Sequence, residues 1–187
     1  MDERAFHPDA PAGKAGKYAR IERERRFLLA APPVGSPTKR FLIEDRYLRG
    51  TRIRLRRMTD LDQPAGDATY KLTQKIPTAA GTPGLITTLY LSEAEYEALF
   101  DIPADTLRKV RSSFPPLGVD TFKGALSGLV LAEAEFETDA GETAFRPPPD
   151  AVAEVTADER FTGGRLVKTS EGDLVELLAG FGIDLRS

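Results

Sequence analysis

The chain has 187 residues, 41% apolar and 29% charged, a composition typical of one globular domain with a sizeable core. It has no cysteine and a single histidine, His7, so disulfide scaffolds, thiolate sites, cysteine nucleophiles and multi-histidine zinc sites are excluded. The formal charge of −3 gives no global reason to expect a nucleic-acid or membrane partner, and no apolar run approaches the roughly 20 residues of a membrane span. Any chemistry must therefore use carboxylates, amines and guanidiniums.

The predicted elements begin after residue 17. Residues 1–17 are rich in Pro, Ala and Gly without apolar periodicity, which predicts a disordered extension, and residues 18–187 are predicted to form one domain. Eight segments then alternate apolar and polar residues with period two, the pattern of short β-strands. They are about 20–29, 40–48, 51–58, 68–76, 84–91, 106–113, 118–124 and 128–138. This number and spacing predict a mainly β fold, an antiparallel barrel or sandwich.

Two helices are predicted beside these strands, which makes the fold α+β in detail. The first covers 92–100, where Ser92 is followed three residues later by Glu95, the spacing of a capping box. The second covers about 173–179, with Gly180 as its stop signal.

The near-neutral total charge conceals two halves of opposite sign. Residues 17–57 contain 13 Lys/Arg and 4 Asp/Glu, a balance of +9, whereas residues 132–187 contain 13 Asp/Glu and 5 Lys/Arg, a balance of −8. Such asymmetry indicates either two separate interaction surfaces or one cavity that receives cations from one half and anions from the other.

The strand alternation places charges of one sign in rows. Arg52, Arg54 and Arg56 share one face of a strand, and Glu133 and Glu135 share one face of another. Each row alone is consistent with the solvated face of an antiparallel strand. Like charges side by side are unfavourable, however, unless a ligand or an oppositely charged strand lies opposite. A polyanion with bound divalent cations satisfies both kinds of row.

These rows, in this order, resemble the CYTH family, the triphosphate tunnel metalloenzymes. The resemblance covers residues 21–167 and depends on five motifs. They are Glu22-Arg23-Glu24-Arg25-Arg26, Arg52-Ile53-Arg54, Tyr70-Lys71-Leu72-Thr73-Gln74-Lys75, Lys109-Val110-Arg111, and Glu133-Ala134-Glu135 preceded by Asp120. Beyond these five, Glu154-Val155-Thr156 followed by Asp158 and Arg160-Phe161 resembles the family's closing segment.

Two positions depart from the family pattern. Arg26 stands where the family has lysine, and a planar guanidinium does not replace a compact ammonium neutrally. The strand 85–91 has no carboxylate, whereas family members often carry an acidic pair there. The second departure leaves the number of bound metals open.

The resemblance implies a closed eight-stranded antiparallel β-barrel around a charged tunnel, with a few peripheral helices. It implies divalent-metal-dependent hydrolysis of a triphosphate-containing small molecule, such as inorganic tripolyphosphate or a nucleoside or organic triphosphate. The implied cofactor is Mg²⁺ or Mn²⁺, held by Glu22, Glu24, Asp120, Glu133 and Glu135. Glu22 and Arg26 are the implied catalytic residues. The implied substrate ligands are Arg26, Arg52, Arg54, Arg56, Lys71, Lys75, Lys109 and Arg111.

Three alternatives remain at this point. Within the resemblance, a class IV-type adenylyl cyclase would use the same charged tunnel on ATP. A non-catalytic polyphosphate- or nucleotide-binding module would explain the missing acidic pair. An RNA-binding barrel is disfavoured by the low aromatic content of 8%. We expect a cytoplasmic protein with neither nucleic-acid nor membrane partners, and its oligomeric state is open.

Overall fold

The computed structural model describes residues 17–76 and 84–185. Within them, ten strands form one sheet in which every pairing is antiparallel. The strands are β1 (Arg20–Ile21), β2 (Glu24–Leu29), β3 (Lys39–Leu48), β4 (Ile53–Asp60), β5 (Thr69–Ile76), β6 (Leu85–Leu91), β7 (Ala104–Phe114), β8 (Leu117–Phe122), β9 (Val130–Glu135) and β10 (Ala151–Glu154). Their order is β1-β6-β5-β4-β3-β7-β8-β9-β2-β10. The predicted mainly β, antiparallel fold is confirmed.

A closed eight-stranded barrel is not confirmed, because the hydrogen-bonded order has ten strands and two edges, β1 and β10. The predicted strand 20–29 divides at Glu22 and Arg23, since β1 pairs with β6 whereas β2 pairs with β9. The tenth strand, β10, pairs with β2 and was not predicted. Its four residues, two of them alanine, are too short to produce a clear alternation.

The sheet nevertheless curves strongly around one of its faces. Only Glu22 and Arg23 separate β1 from β2, so β6 and β9 come to lie on either side of one short chain segment. The backbone N–H of Glu22 donates to the carbonyl of Gly84, and the N–H of Phe136 donates to the carbonyl of Arg23, both at 2.9 Å. We call the concave side of this curved sheet the inner face.

Four α-helices occur in the described residues, namely α1 (Glu93–Phe100), α2 (Asp139–Ala144), α3 (Gly163–Leu166) and α4 (Glu171–Ala179). Both predicted helices are confirmed. Ser92 and Glu95 form the predicted capping box of α1, while Ser170 and Asp173 form another that starts α4 two residues before the predicted start. The short helices α2 and α3 were not predicted, because four to six residues are too few to show a helical period.

None of the helices in the described residues has the length and apolar character that crossing a bilayer requires. The predicted extension, with His7, lies outside the described residues except for Lys17, which is exposed in a turn. The boundary at residue 18 therefore stays a prediction.

Two apolar clusters cover the outer side of the sheet. Leu55 and Tyr70 pack against Tyr96 of α1. On the opposite part of the sheet, Phe27 and Val119 belong to a cluster with strands β2, β8 and β9. These clusters keep the apolar residues of the alternation away from the inner face.

A third and larger cluster fills one end of the inner face. Leu28, Leu107, Phe122 and Leu131, from four strands, pack with apolar side chains of the chain's last part. We call residues 155–185 the C-terminal plug; its buried members are Val155, Phe161, Leu166, Leu174 and Leu178. The plug lies so close that a Cβ at Gly163 would collide with the hydroxyl of Tyr47, so any side chain there would have to displace the tyrosine.

The plug predicts a clear difference between two leucines. Leu174 is fully buried in the third cluster, whereas Leu89 on β6 is 53% exposed. We expect Leu174→Ala to lower the free energy of unfolding by about 2 to 5 kcal/mol, because it leaves a cavity. The matched variant Leu89→Ala should cost less than about 1 kcal/mol. Urea unfolding followed by circular dichroism measures both, and equal losses would contradict the assigned core.

Candidate active site

The inner face carries the predicted charged residues. Residues opposite one another on neighbouring strands project to the same side of a sheet. The register places Arg56 opposite both Asp45 and Lys71, and Arg111 opposite Asp120. The alternation along each strand extends the same face to the other predicted residues. They are Glu22, Glu24, Arg26, Arg52, Arg54, Lys75, Lys109, Glu133 and Glu135.

Asp45 organises the arginines of β4. It is 2% exposed and accepts two hydrogen bonds from Arg56, at 2.6 Å from Nε to Oδ1 and 2.8 Å from Nη2 to Oδ2. Arg54 Nε lies 3.6 Å from Oδ1 and is buried without a hydrogen-bond partner. Burial by itself raises the pKa of Asp45, but the charges of Arg56 and Arg54 outweigh it and lower the pKa to about 2.

Sequence reasoning missed Asp45. The signal in the sequence is that Asp45 shares a strand face with Ile43 and Tyr47, where an apolar side chain would be expected. A lone acid in that position requires a buried cation opposite, and the arginine-rich strand β4 offers one.

Asp120 is the second fully buried carboxylate of the inner face. Its Oδ1 accepts from Arg111 Nε at 2.7 Å and its Oδ2 accepts from Arg111 Nη2 at 2.6 Å. Lys109 Nζ also donates to Oδ2, and Arg111 reaches further to Glu133. Both oxygens of Asp120 are thus occupied by cationic side chains. Burial lowers the pKa of Lys109 against the opposing effect of Asp120.

Carboxylates are concentrated on β2, on β9 and in the link between β1 and β2, and we call Glu22, Glu24, Glu133 and Glu135 the acidic wall. Glu24 and Glu135 face each other directly in the β2–β9 register. Lys75 Nζ lies 2.6 Å from Glu22 Oε1. Burial raises the pKa of Glu24, and the nearby carboxylates of Glu133 and Glu22 raise it further against the lowering effect of Lys75. Glu22, Glu24 and Glu133 each have a cation nearby, whereas Glu135 has none in the described residues.

Cations are concentrated on β4 and β5, and we call Arg52, Arg54, Arg56 and Lys71 the basic wall. Arg52, just before β4, makes no side-chain hydrogen bond or ion pair within the described residues. Lys71 Nζ lies over the ring of Tyr90, 5.0 Å from its centroid, and it has no acidic partner in the same part of the chain. The basic wall therefore keeps N–H groups that can donate hydrogen bonds to an anion.

Arg26 differs from the other inner-face cations because its donors are directed to the main chain. Nη1 donates to the carbonyl of Phe161 and Nη2 to the carbonyl of Thr156, both at 2.8 Å. Its Nε is buried without a hydrogen-bond partner, 3.6 Å from Glu24 Oε1. Arg26 thus joins the acidic wall to the C-terminal plug.

The inner positions of β6 carry no carboxylate, as the sequence indicated. The hydroxyl of Thr88 lies 3.2 Å from that of Thr73 on β5, and Tyr90 lies beside Lys71. Hydroxyl and phenol groups stand where an acidic pair would have added metal ligands.

The chemistry of the acidic wall fits a divalent cation, although its side chains are not gathered as ligands. Carboxylate oxygens are the donors that Mg²⁺ and Mn²⁺ prefer. Across residues 17–76 and 84–185, no three acidic or histidine side chains converge closely enough to hold a metal ion. Glu22 and Glu133 are instead paired with Lys75 and Arg111. Metal binding at this wall would require these ion pairs to open.

Comparison with known proteins supports the resemblance on which the sequence analysis rests. No protein-family model and no curated protein matches the chain. Two solved structures of a protein named NE1496 match it. One, described as an inorganic triphosphatase, is 27% identical, covers 79% of this chain and 95% of its own, and has a TM-score of 0.51. The other, described as a hypothetical protein, is 28% identical, covers 80% and 99%, and has the same TM-score. The resemblance to the CYTH family is thereby confirmed.

The motifs that resemble those of the CYTH family lie in the inner-face rows. Glu22 and Glu24 lie in the acidic wall, whereas Arg52 and Arg54 lie in the basic wall. A proposed adenylate cyclase from Bacillus halodurans is 18% identical, covers 89% of this chain and 92% of its own, and has a TM-score of 0.45. That weaker likeness carries no conclusion about function.

Asp45 predicts how the free energy of unfolding changes with pH. Its folded pKa of about 2 lies below the usual aspartate value, so its stabilisation is complete above about pH 4 and is lost as the pH falls toward about 2. We expect Asp45→Asn to lower the free energy of unfolding at neutral pH by about 3 kcal/mol, since two buried arginines lose their partner. The variant should also flatten the acid dependence between about pH 4 and 2.

The matched control is Asp62→Asn. Asp62 accepts two hydrogen bonds from the Arg40 guanidinium, both at Oδ1, and a third from the Arg40 backbone N–H at Oδ2, but the pair is exposed. It should change stability by less than about 1 kcal/mol. Urea titrations across this pH range compare the two variants, and equal losses would show that the buried pair is not special.

Proposed function

We propose that this CYTH-family protein is a divalent-metal-dependent hydrolase that releases phosphate from a triphosphate chain, inorganic or attached to a nucleoside or other organic group. The likeness to NE1496, described as an inorganic triphosphatase, supports this reaction class. The alternation of basic and acidic rows on one concave face supports a substrate that carries both phosphates and metal.

One observation carries the proposal, the separation of unneutralised charge on the inner face. On the basic wall, Arg52 and Lys71 have no acidic partner among the described residues. On the acidic wall, Glu24 and Glu135 face each other although like charges repel. A phosphate chain on one side and a metal ion on the other would complete both walls.

The cations of the inner face would bind the phosphate oxygens. Guanidinium groups suit this role because their planar fork donates two hydrogen bonds to one phosphate. Their fixed positive charge would stabilise the charge that develops in phosphoryl transfer. We assign this role to Arg52, Arg54, Arg56, Lys71, Lys75, Lys109 and Arg111.

The acidic wall would hold Mg²⁺ or Mn²⁺ through Glu24, Glu133 and Glu135. When bound, the ion would neutralise phosphate charge and so make the phosphorus more susceptible to attack. Glu22 would orient the attacking water, because it lies beside Lys75 at the edge of the same wall. The metal role that the resemblance implied for Asp120 is replaced in this proposal by positioning of Lys109 and Arg111, which already occupy its oxygens.

Arg26 has a different place in the proposal. Its predicted catalytic and substrate-binding roles stay predictions, and its two hydrogen bonds to Thr156 and Phe161 favour a supporting role at the end of the site. A phosphate could reach its guanidinium only if those hydrogen bonds were exchanged.

The direct test is phosphate release from tripolyphosphate, ATP and thiamine triphosphate, each with Mg²⁺, with Mn²⁺ and with a chelator. We expect metal-dependent release from at least one of them, abolished by the chelator. Cyclic AMP formation from ATP would instead identify a cyclase, and tight binding without turnover would identify a binding module. Either outcome would contradict the proposed hydrolase.

Glu133 and Glu135 test the acidic wall. The double variant Glu133→Gln/Glu135→Gln should lower metal-dependent turnover by about 100-fold or more, because it removes two carboxylate ligands. The matched variant Glu137→Gln lies just beyond β9, is exposed, and should retain normal turnover. Full activity in the double variant, with normal circular dichroism, would refute the metal assignment.

Arg52 tests the basic wall. Arg52→Gln should raise KM for tripolyphosphate by about tenfold, which corresponds to one lost charged hydrogen bond of about 1.4 kcal/mol. Arg57 lies on β4 but on the outer side of the sheet, where it is exposed, so Arg57→Gln should leave KM unchanged. Steady-state kinetics compare the two, and an equal effect would mean that net charge rather than position matters.

A further inference from the structure

A row of four side chains crosses the inner face from a buried carboxylate to an exposed aromatic ring. The strand register places Asp45 opposite Arg56, Arg56 opposite Lys71, and Lys71 opposite Tyr90. Asp45 is 2% exposed and Arg56 8%, Lys71 is partly buried, and Tyr90 is 72% exposed. Two strand spacings, about 10 Å, separate the backbone of Tyr90 from that of Arg56. The row therefore leads from cations suited to phosphate to a ring that solvent can reach.

Tyr90 lies at an edge of the sheet because β1 is short. The two residues of β1 pair only with Leu85 and Ile86 of β6. On the side away from β5, no strand of the described residues accompanies the rest of β6, from Thr87 to Leu91. A group bound beside Tyr90 can therefore extend over this edge without entering the covered part of the inner face.

The ring of Tyr90 has a single partner. Lys71 Nζ lies 5.0 Å from its centroid, and among residues 17–76 and 84–185 no second aromatic ring and no hydrogen-bond partner contacts Tyr90. The quadrupole of an aromatic ring attracts a cation to its face. Lys71 is thus held beside the ring while its charge has no acidic partner in the same part of the chain. Most of the ring surface stays available to a flat partner.

An aromatic heterocycle is the partner that this surface suits. Stacking on an aromatic side chain contributes roughly 1 to 3 kcal/mol per base and does not depend on which base it is. A phosphate chain held by Arg56 and Lys71 would bring a heterocycle attached to its end within reach of Tyr90. Inorganic tripolyphosphate has no group that can use the ring.

We propose that Tyr90 determines substrate specificity by stacking on the aromatic heterocycle of an organic triphosphate whose phosphates lie on Arg56 and Lys71. This inference rests on the proposed function and adds the substrate class, a triphosphate that carries a nucleobase or a similar heterocycle. Tyr90 touches the organic group and takes no part in the hydrolysis itself.

Matched ligands test this inference with the unmodified protein. ATP is compared with ribose 5-triphosphate, which keeps the sugar and the three phosphates but lacks the base. Thiamine triphosphate provides a heterocycle from a different source. Calorimetry in the presence of a chelator measures binding without metal-dependent turnover, and a phosphate assay with Mg²⁺ or Mn²⁺ measures kcat/KM.

We expect at least one of ATP and thiamine triphosphate to bind about tenfold more tightly than ribose 5-triphosphate, a difference of about 1.4 kcal/mol. The relative binding of the two identifies the source of the preferred heterocycle. Equal binding of all three compounds would overturn the proposed role of Tyr90.

Variants of β6 assign the preference to the ring. Tyr90→Leu should reduce the ratio of heterocycle-bearing to ribose 5-triphosphate affinity by about tenfold, whereas Tyr90→Phe should keep the ratio because the ring remains. The matched control is Leu89→Ala, since Leu89 is the neighbouring residue, is 53% exposed and lies on the outer side of the same strand. An unchanged ratio in Tyr90→Leu, or the same loss in Leu89→Ala, would overturn the inference.

The two proposals fail in different ways. If all the triphosphates are hydrolysed with equal kcat/KM and bind equally, the proposed function stands and the role of Tyr90 is wrong. If none is hydrolysed, the proposed function is wrong, and the binding ratios of the Tyr90 variants still decide whether the ring recognises a heterocycle.

Discussion

Asp45 and Asp120 are carboxylates with almost no solvent exposure, and each lies against two cationic side chains of neighbouring strands. A charge buried alone would be very costly, whereas a charge buried with hydrogen-bonded partners is tolerated. These two aspartates therefore allow arginine and lysine to line a concave surface instead of turning outward to water. The strand register places the same residues opposite each other, Asp45 with Arg56 between β3 and β4 and Asp120 with Arg111 between β7 and β8.

Elsewhere on the inner face some charged side chains have no partner of opposite charge among the described residues, and these side chains are the ones that can bind a ligand. Arg52 and Lys71 have no acidic partner in the described residues, while Glu24 and Glu135 oppose each other. A surface divided into a basic wall and an acidic wall attracts a ligand that itself carries both signs of charge, such as a phosphate chain with a metal ion. The relation to NE1496 agrees with this reading at the level of the family.

The strands and the two longer helices could be predicted because their signals are local. Period-two alternation marked all eight predicted segments, and the Ser92/Glu95 capping box marked the first helix. The division of residues 20–29 into β1 and β2 had no local signal, since it results from a change of partner strand. Strand β10 was missed for the same reason, because its pairing with β2 rather than its own four residues makes it a strand.

The sequence by itself determined which charged residues share a strand face, and hence the chemical composition of the site, because side-chain alternation is a property of each strand alone. It could not determine which charges neutralise one another. Asp45 with Arg56, Asp120 with Lys109 and Arg111, and Arg26 with the plug are decided by strand order and by the position of the C-terminal residues. Burial and pairing energies depend on those distant neighbours, so only the tertiary structure separates a wall that can bind a ligand from one already satisfied.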